Sequence, residues 1–191
     1  MTEKKIPKDV DTTKVQGWIE IIVRDKNGNI KYKAGAPPKA IMKGNPVPIL
    51  TSFPAKEGDF YFRKNIITNV GLACMVRLIF AGLTEDKFGY LAIGSGTTSE
   101  SATDTALEYE VARKSASVSQ TTTTITDDTA LLEATFSKDD GLSGSMNISE
   151  TGIFNASSGG DMLARKVFSA VPVDWDAGDT LTIRYYVQMS R

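Results

Sequence analysis

The residue types that most often carry enzymatic chemistry are scarce in this chain. It holds no histidine, which removes Ser-His-Asp and Cys-His catalysis, the usual zinc sites and the commonest general base near neutral pH. Cys74 is the only cysteine and stands inside an apolar run. A thiol there reads as a small buried hydrophobe, and no intrachain disulfide can form. Carboxylates remain. Glu108 and Glu110 stand two apart, which on a strand places both on one face, whereas a glycosidic pair must flank the sugar bond from opposite sides. They read as a solvated edge. Asp174 to Asp179 and Asp25 to Asn29 echo calcium loops, but neither carries the required glycine followed by a closing bidentate glutamate. Both read as turns. Gly94-Ser95-Gly96-Thr97-Thr98-Ser99 begins like a dinucleotide loop, yet Ser99 occupies the third glycine position and no phosphate-loop lysine follows. No catalytic residue, cofactor or metal is therefore expected.

The bulk composition sets further bounds. With 22 basic and 23 acidic residues among 191, the net charge of -1 offers no long-range field for nucleic acid or an anionic membrane. The longest apolar segment, Val70 to Leu83, falls short of a membrane span and is interrupted by Arg77. Met1-Thr2-Glu3-Lys4-Lys5 has no apolar stretch behind its charges, so no secretory signal is read and assembly in a cytosol is expected. Without such a signal, Asn147-Ile148-Ser149 and Asn155-Ala156-Ser157 match the glycosylation pattern by chance.

The elements that would position any site are mostly strands. Residues 1 to about 16 form a polar arm. Trp18 to Val23 and Ile30 to Tyr32 flank Asn27-Gly28, a hairpin signal of the type I′ kind. Gly35 to Gly58 carries Pro37, Pro38, Pro46, Pro48 and Pro54 and reads as an extended connector. A strand from Phe60 to Ile67 leads to Thr68 and Asn69, both good helix caps. Leu72, Met75, Val76, Ile79, Phe80 and Leu83 then repeat at helical spacing, predicting one buried helix over about 70–82. After it the period becomes two. Strands are predicted at Tyr90–Ile93, Arg113–Gln120, Ala130–Ser137, Ser143–Ser149, Met162–Ser169 and Thr180–Ser190, with one or two helical turns at Asp104–Glu110. In the last strand Leu181, Ile183, Tyr185 and Val187 should be buried, opposite Thr182, Arg184, Tyr186 and Gln188. The expected fold is mainly β: an antiparallel sandwich or jelly-roll-like body over 59–191, with an attachment region over 1–58 made of arm, hairpin and connector.

The succession Asn65-Ile66-Ile67-Thr68-Asn69-Val70-Gly71, a helix, Tyr90-Leu91-Ala92-Ile93-Gly94-Ser95-Gly96-Thr97-Thr98 and Thr103 to Glu110 resembles accessory virion structural proteins of tailed bacteriophages. The stretches Glu150 to Arg165 and Ala177 to Ile183 resemble the same group, whose members are tail-fibre-like or head-associated. The resemblance covers roughly Asp59 to the C-terminus. It implies a non-enzymatic particle component, assembled in the host cytoplasm, with no catalytic residues to carry over. The expected partners are other capsid or tail subunits and further copies of this chain. Lys4, Lys5, Lys8, Trp18, Pro37, Pro38 and Tyr186 are the candidate contacts. The alternative is a tail-fibre module that reads a receptor or host glycan through exposed aromatics; an enzyme working with carboxylates alone is a third, weaker reading.

Overall fold

The computed structural model describes residues 14–35, 65–81 and 86–190. In chain order these form β1 (Lys14–Arg24), β2 (Ile30–Gly35), β3 (Ile66–Ile67), α1 (Asn69–Phe80), β4 (Tyr90–Gly94), β5 (Glu110–Ser115), β6 (Ser117–Thr121), β7 (Thr129–Phe136), β8 (Ser145–Phe154), β9 (Met162–Asp174) and β10 (Thr180–Ser190). The strands make two 5-stranded sheets, ordered β2-β1-β10-β7-β6 and β3-β9-β8-β4-β5. All the strand pairs are antiparallel. Over the described residues the architecture is an antiparallel β-sandwich with one α-helix.

The period-two pattern decides what lies between the sheets. Ile19, Ile21 and Val23 of β1, Leu181, Ile183, Tyr185 and Val187 of β10, and Leu132, Ala134 and Phe136 of β7 face Leu91, Ile93, Ile148, Ile153, Val171 and Val173. Each fully buried aliphatic side chain contributes roughly 1.5–3 kcal/mol relative to exposure. β10 is the middle strand of its sheet, and its four core residues are buried as the alternation predicts. Tyr185 also donates its hydroxyl across the sandwich to the Thr151 carbonyl at 2.9 Å, which burial of a phenol requires.

Several expectations need correction. The hairpin does not lie outside the sandwich body: β1 pairs with β10 from Lys14 to Arg24 and supplies core residues. Its turn is not type I′, because in this turn only Gly28 has positive φ, at 84°. The Asp25 carboxylate instead caps the amides of Asn27 and Asn29 at 2.9 Å each, and the ladder shifts register at Val23/Arg24, a turn-plus-bulge solution. The predicted strand over 113–120 is two strands in different sheets, joined at Ala116, whose amide is held by the Gly89 carbonyl at 2.8 Å. Asp104 to Tyr109 is irregular instead of helical and Glu110 opens β5, and of the described part of the strand expected from Phe60 only Ile66–Ile67 is strand.

The helix is present but is not buried on its apolar stripe. Only Gly71 and Cys74 are buried, whereas Leu72, Val76, Ile79 and Phe80 are 42%, 57%, 57% and 79% exposed. Docking geometry explains the difference. Thr68 caps α1 by accepting from the Gly71 amide at 3.0 Å, while its hydroxyl donates to the Met162 carbonyl and its amide to the Leu163 carbonyl. This brings backbone against backbone. A Cβ on Gly71 would stand 2.5 Å from Leu163 Cα. The helix therefore rests on β9 through Gly71 and Cys74, with Met75 partly buried against the core, while Leu72, Val76, Ile79 and Phe80 turn outward.

Candidate interaction surface

The loop Gly94-Ser95-Gly96 does cradle an anion, but an internal one. A Cβ at Gly94 or Gly96 would fall 2.6 or 2.5 Å from Glu150 Oε1. Glu150, fully buried on β8, accepts there from the amides of Gly96 at 3.0 Å and Tyr109 at 2.7 Å. Its Oε2 accepts from the Glu108 amide at 3.0 Å and from Arg165 Nε and Nη2 at 3.0 and 2.8 Å. Arg165 reaches Asp104 at 2.8 Å with its remaining fork. The network pins the 95–109 segment onto the second sheet, where Leu107 packs on Ala92, Phe154 and Met162. No spacing in the sequence marks Glu150 and Arg165 as partners; they meet because Gly152 and Arg165 are cross-strand neighbours in the β8–β9 ladder, which places residues 150 and 165 diagonally on one face.

The other carboxylates weighed from sequence are also engaged in structure. Glu108 accepts from the amides of Thr98 and Thr97 and from the Thr98 hydroxyl, which holds its carboxyl below the usual range. Glu110 pairs with Arg113 at 2.6 Å. Asp176 bonds Lys138 and the Gly144 amide, and its carboxyl is likewise lowered, by the Lys138 ammonium first. Asp174 and Asp179 cap their own turn. Among the described residues no group of three metal-ligating side chains converges.

The candidate contacts divide. Lys4, Lys5, Lys8, Pro37 and Pro38 lie outside the described residues. Trp18 and Tyr186 are directly opposed across β1 and β10 on the face away from the core, where the alternation places Tyr186. They are not free surface, however, being only 7% and 6% exposed. Beside them Glu20, 2% exposed, takes Lys33 at 2.8 Å and Arg184 at 2.9 Å, and Arg184 also bonds Glu133. Among the described residues this outer face carries the Trp18–Tyr186 pair and the Glu20–Arg184–Glu133 ion pairs side by side.

Two features present unspent groups to solvent. One is the outward stripe of α1: Leu72, Val76, Ile79 and Phe80 fall at i, i+4, i+7 and i+8, one continuous face. Its periodicity was legible in sequence, its direction was not. The other is an open cleft of about 470 Å³ where β5 crosses to β6, lined by Asp86, Lys87, Tyr90, Ser115, Val118 and Ser157 among others. Near it Arg113 stacks on the Phe154 ring at 3.5 Å and bonds the carbonyls of Ala156 and Gly159, which fixes the 155–160 loop that forms one wall. No helix among the described residues is long and apolar enough to cross a membrane. Compared with models of known families, with characterised proteins and with solved structures, the chain finds no match.

Proposed function

We propose that this chain is a non-enzymatic structural component of a tailed-phage virion, an oligomeric accessory protein of capsid or tail that binds neighbouring virion subunits. The observation that carries the reading is the outward apolar stripe of α1, with Phe80 at 79% and Val76 and Ile79 at 57% exposure. Contiguous apolar surface on a helix that, among the described residues, docks on β9 through Gly71 and Cys74 points to a protein-protein contact. The engagement of Glu150, Glu108, Asp174, Asp176 and Asp179 in caps and ion pairs agrees with a scaffold role. The polar arm ahead of Lys14 remains the second attachment element of the proposal.

The test is incorporation. Wild-type chain tagged at the C-terminus should co-purify with assembled particles at a fixed stoichiometry. Val76→Asp with Phe80→Asp should lower that occupancy by tenfold or more, with unchanged circular dichroism. Removing residues 1–13, which leaves β1 intact, should lower it independently. Absence of the wild-type chain from purified particles would overturn the proposal. The second reading, a tail-fibre module for a receptor or glycan, draws on the cleft around Tyr90, whose phenol ring and flanking hydroxyls suit a sugar face. It requires saccharide-dependent shifts of Tyr90 and Ser157 resonances.

A further inference from the structure

A two-sheet sandwich has four edges, and here they are β2 and β6 in one sheet, β3 and β5 in the other. An edge strand presents unpaired backbone N–H and C=O groups, and soluble proteins blunt such edges with charge, proline, bulges or brevity. Three of these edges carry such devices. β2 bears Lys31 and Lys33 and a register shift against its neighbour. β3 is 2 residues long. β5 bears Glu110, Arg113 and Lys114.

β6 carries none. Its sequence is Ser117-Val118-Ser119-Gln120-Thr121, without charge or proline, and its ladder to β7 runs without a shift. Among the described residues it pairs on one side only, and Ser117 to Gln120 are exposed, Val118 at 50%. The strand is also held ready. Ser117 bonds the Glu133 carbonyl, and beyond Thr121 the Asp128 carboxylate caps the amides of Thr123, Thr124 and Ile125. Little ordering is left to be done when a partner arrives.

We infer that β6 is a strand-addition edge whose occupant is the β6 of a second copy of this chain, paired antiparallel about a two-fold axis at Ser119. The strand is nearly self-complementary, with Ser117 opposing Thr121 and Ser119 its own copy, and no charge opposes that occupant. An antiparallel self-pair sets each residue 119+k against 119−k, so a charged strand would depend on its register, whereas β6 opposes no charges at any register. A net charge of -1 adds almost no repulsion between copies. The pairing sets Val118 against Gln120 of the second copy and brings the two Val118 side chains into diagonal contact, covering the apolar group each exposes alone. The product is a continuous sheet of two copies, an isologous contact. It does not depend on the virion reading, because it uses only the edge.

The two-fold axis gives a direct test. Opposed residues of antiparallel strands have Cα atoms about 4.5–5.5 Å apart, within the disulfide range of roughly 4.4–6.8 Å. Cys74 is buried and does not compete. Full-length Ser119→Cys under mild oxidation should form a covalent dimer at least tenfold faster than Asn27→Cys, an exposed control in the β1–β2 turn. Adding Val118→Lys and Gln120→Lys, which set like charges opposite each other on exposed positions, should return the rate to the control level at low salt. Cross-linking of Ser119→Cys no faster than the control would overturn the inference. So would a rate that the two lysines leave unchanged. A chain that stays monomeric alone yet captures a different protein along β6 would overturn it as well.

Discussion

Replacing Glu150 by glutamine conserves volume and removes only an acceptor and a charge, so its cost can be worked from the hydrogen bonds. Oε1 receives the Gly96 and Tyr109 amides, and Oε2 receives the Glu108 amide and two nitrogens of Arg165. A glutamine has one oxygen. With that oxygen toward Arg165, its NH2 meets the Gly96 and Tyr109 amides, donor against donor, and two N–H groups lose their acceptor at about 1–3 kcal/mol each. Turned the other way, it leaves Arg165, at 3% exposure, facing only Asp104 and Glu108, and breaking one partner from a buried pair costs about as much or more. The expected loss is about 3–5 kcal/mol, a large part of a typical domain's 5–15 kcal/mol or so. Urea unfolding followed by far-ultraviolet circular dichroism should show a lowered midpoint at unchanged slope. Amide exchange at Gly96 and Tyr109 should quicken. A loss under about 1 kcal/mol, with those amides as protected as before, would refute the reasoning.

Acid should weaken the 122–128 turn. Partial desolvation pushes the Asp128 carboxyl up, but bonds from the Ile125, Thr123 and Thr124 amides and from Gln188 outweigh it and hold the group below the ordinary aspartate value. A depressed folded-state value stabilises above the unfolded aspartate's pKa of about 3.9, and that contribution is lost as pH falls through the folded value. The urea midpoint should therefore fall below about pH 4, less steeply in Asp128→Asn; equal slopes in both proteins would remove Asp128 from the account. Gly71→Ala places a Cβ 2.5 Å from Leu163 Cα and 2.9 Å from the Met162 and Leu163 carbonyls, all backbone that cannot swing aside. It should cost about 1–3 kcal/mol and make the Cys74 thiol reactive in the folded protein; a thiol still protected would mean that α1 does not need that approach.

Strands and core faces were legible in the sequence because a two-residue period leaves little choice. Once Leu181, Ile183, Tyr185 and Val187 share a face in a protein this size, that face must be buried. Helix caps and turn residues were legible for the same local reason, although Asp25 capping replaced the expected left-handed pair at Asn27-Gly28. Direction and partnership were not. A helical stripe states that one face is apolar, but which face meets the sheet depended on Gly71 admitting the β9 backbone, a contact between residues far apart in the chain. The same holds for Tyr186, on the outer face as predicted and yet covered together with Trp18, and for Glu150 with Arg165, joined only by ladder register. Local periodicity determines what each segment must hide; only the pairing of distant segments decides which residues are close enough to hide it, and which are left outside for a partner.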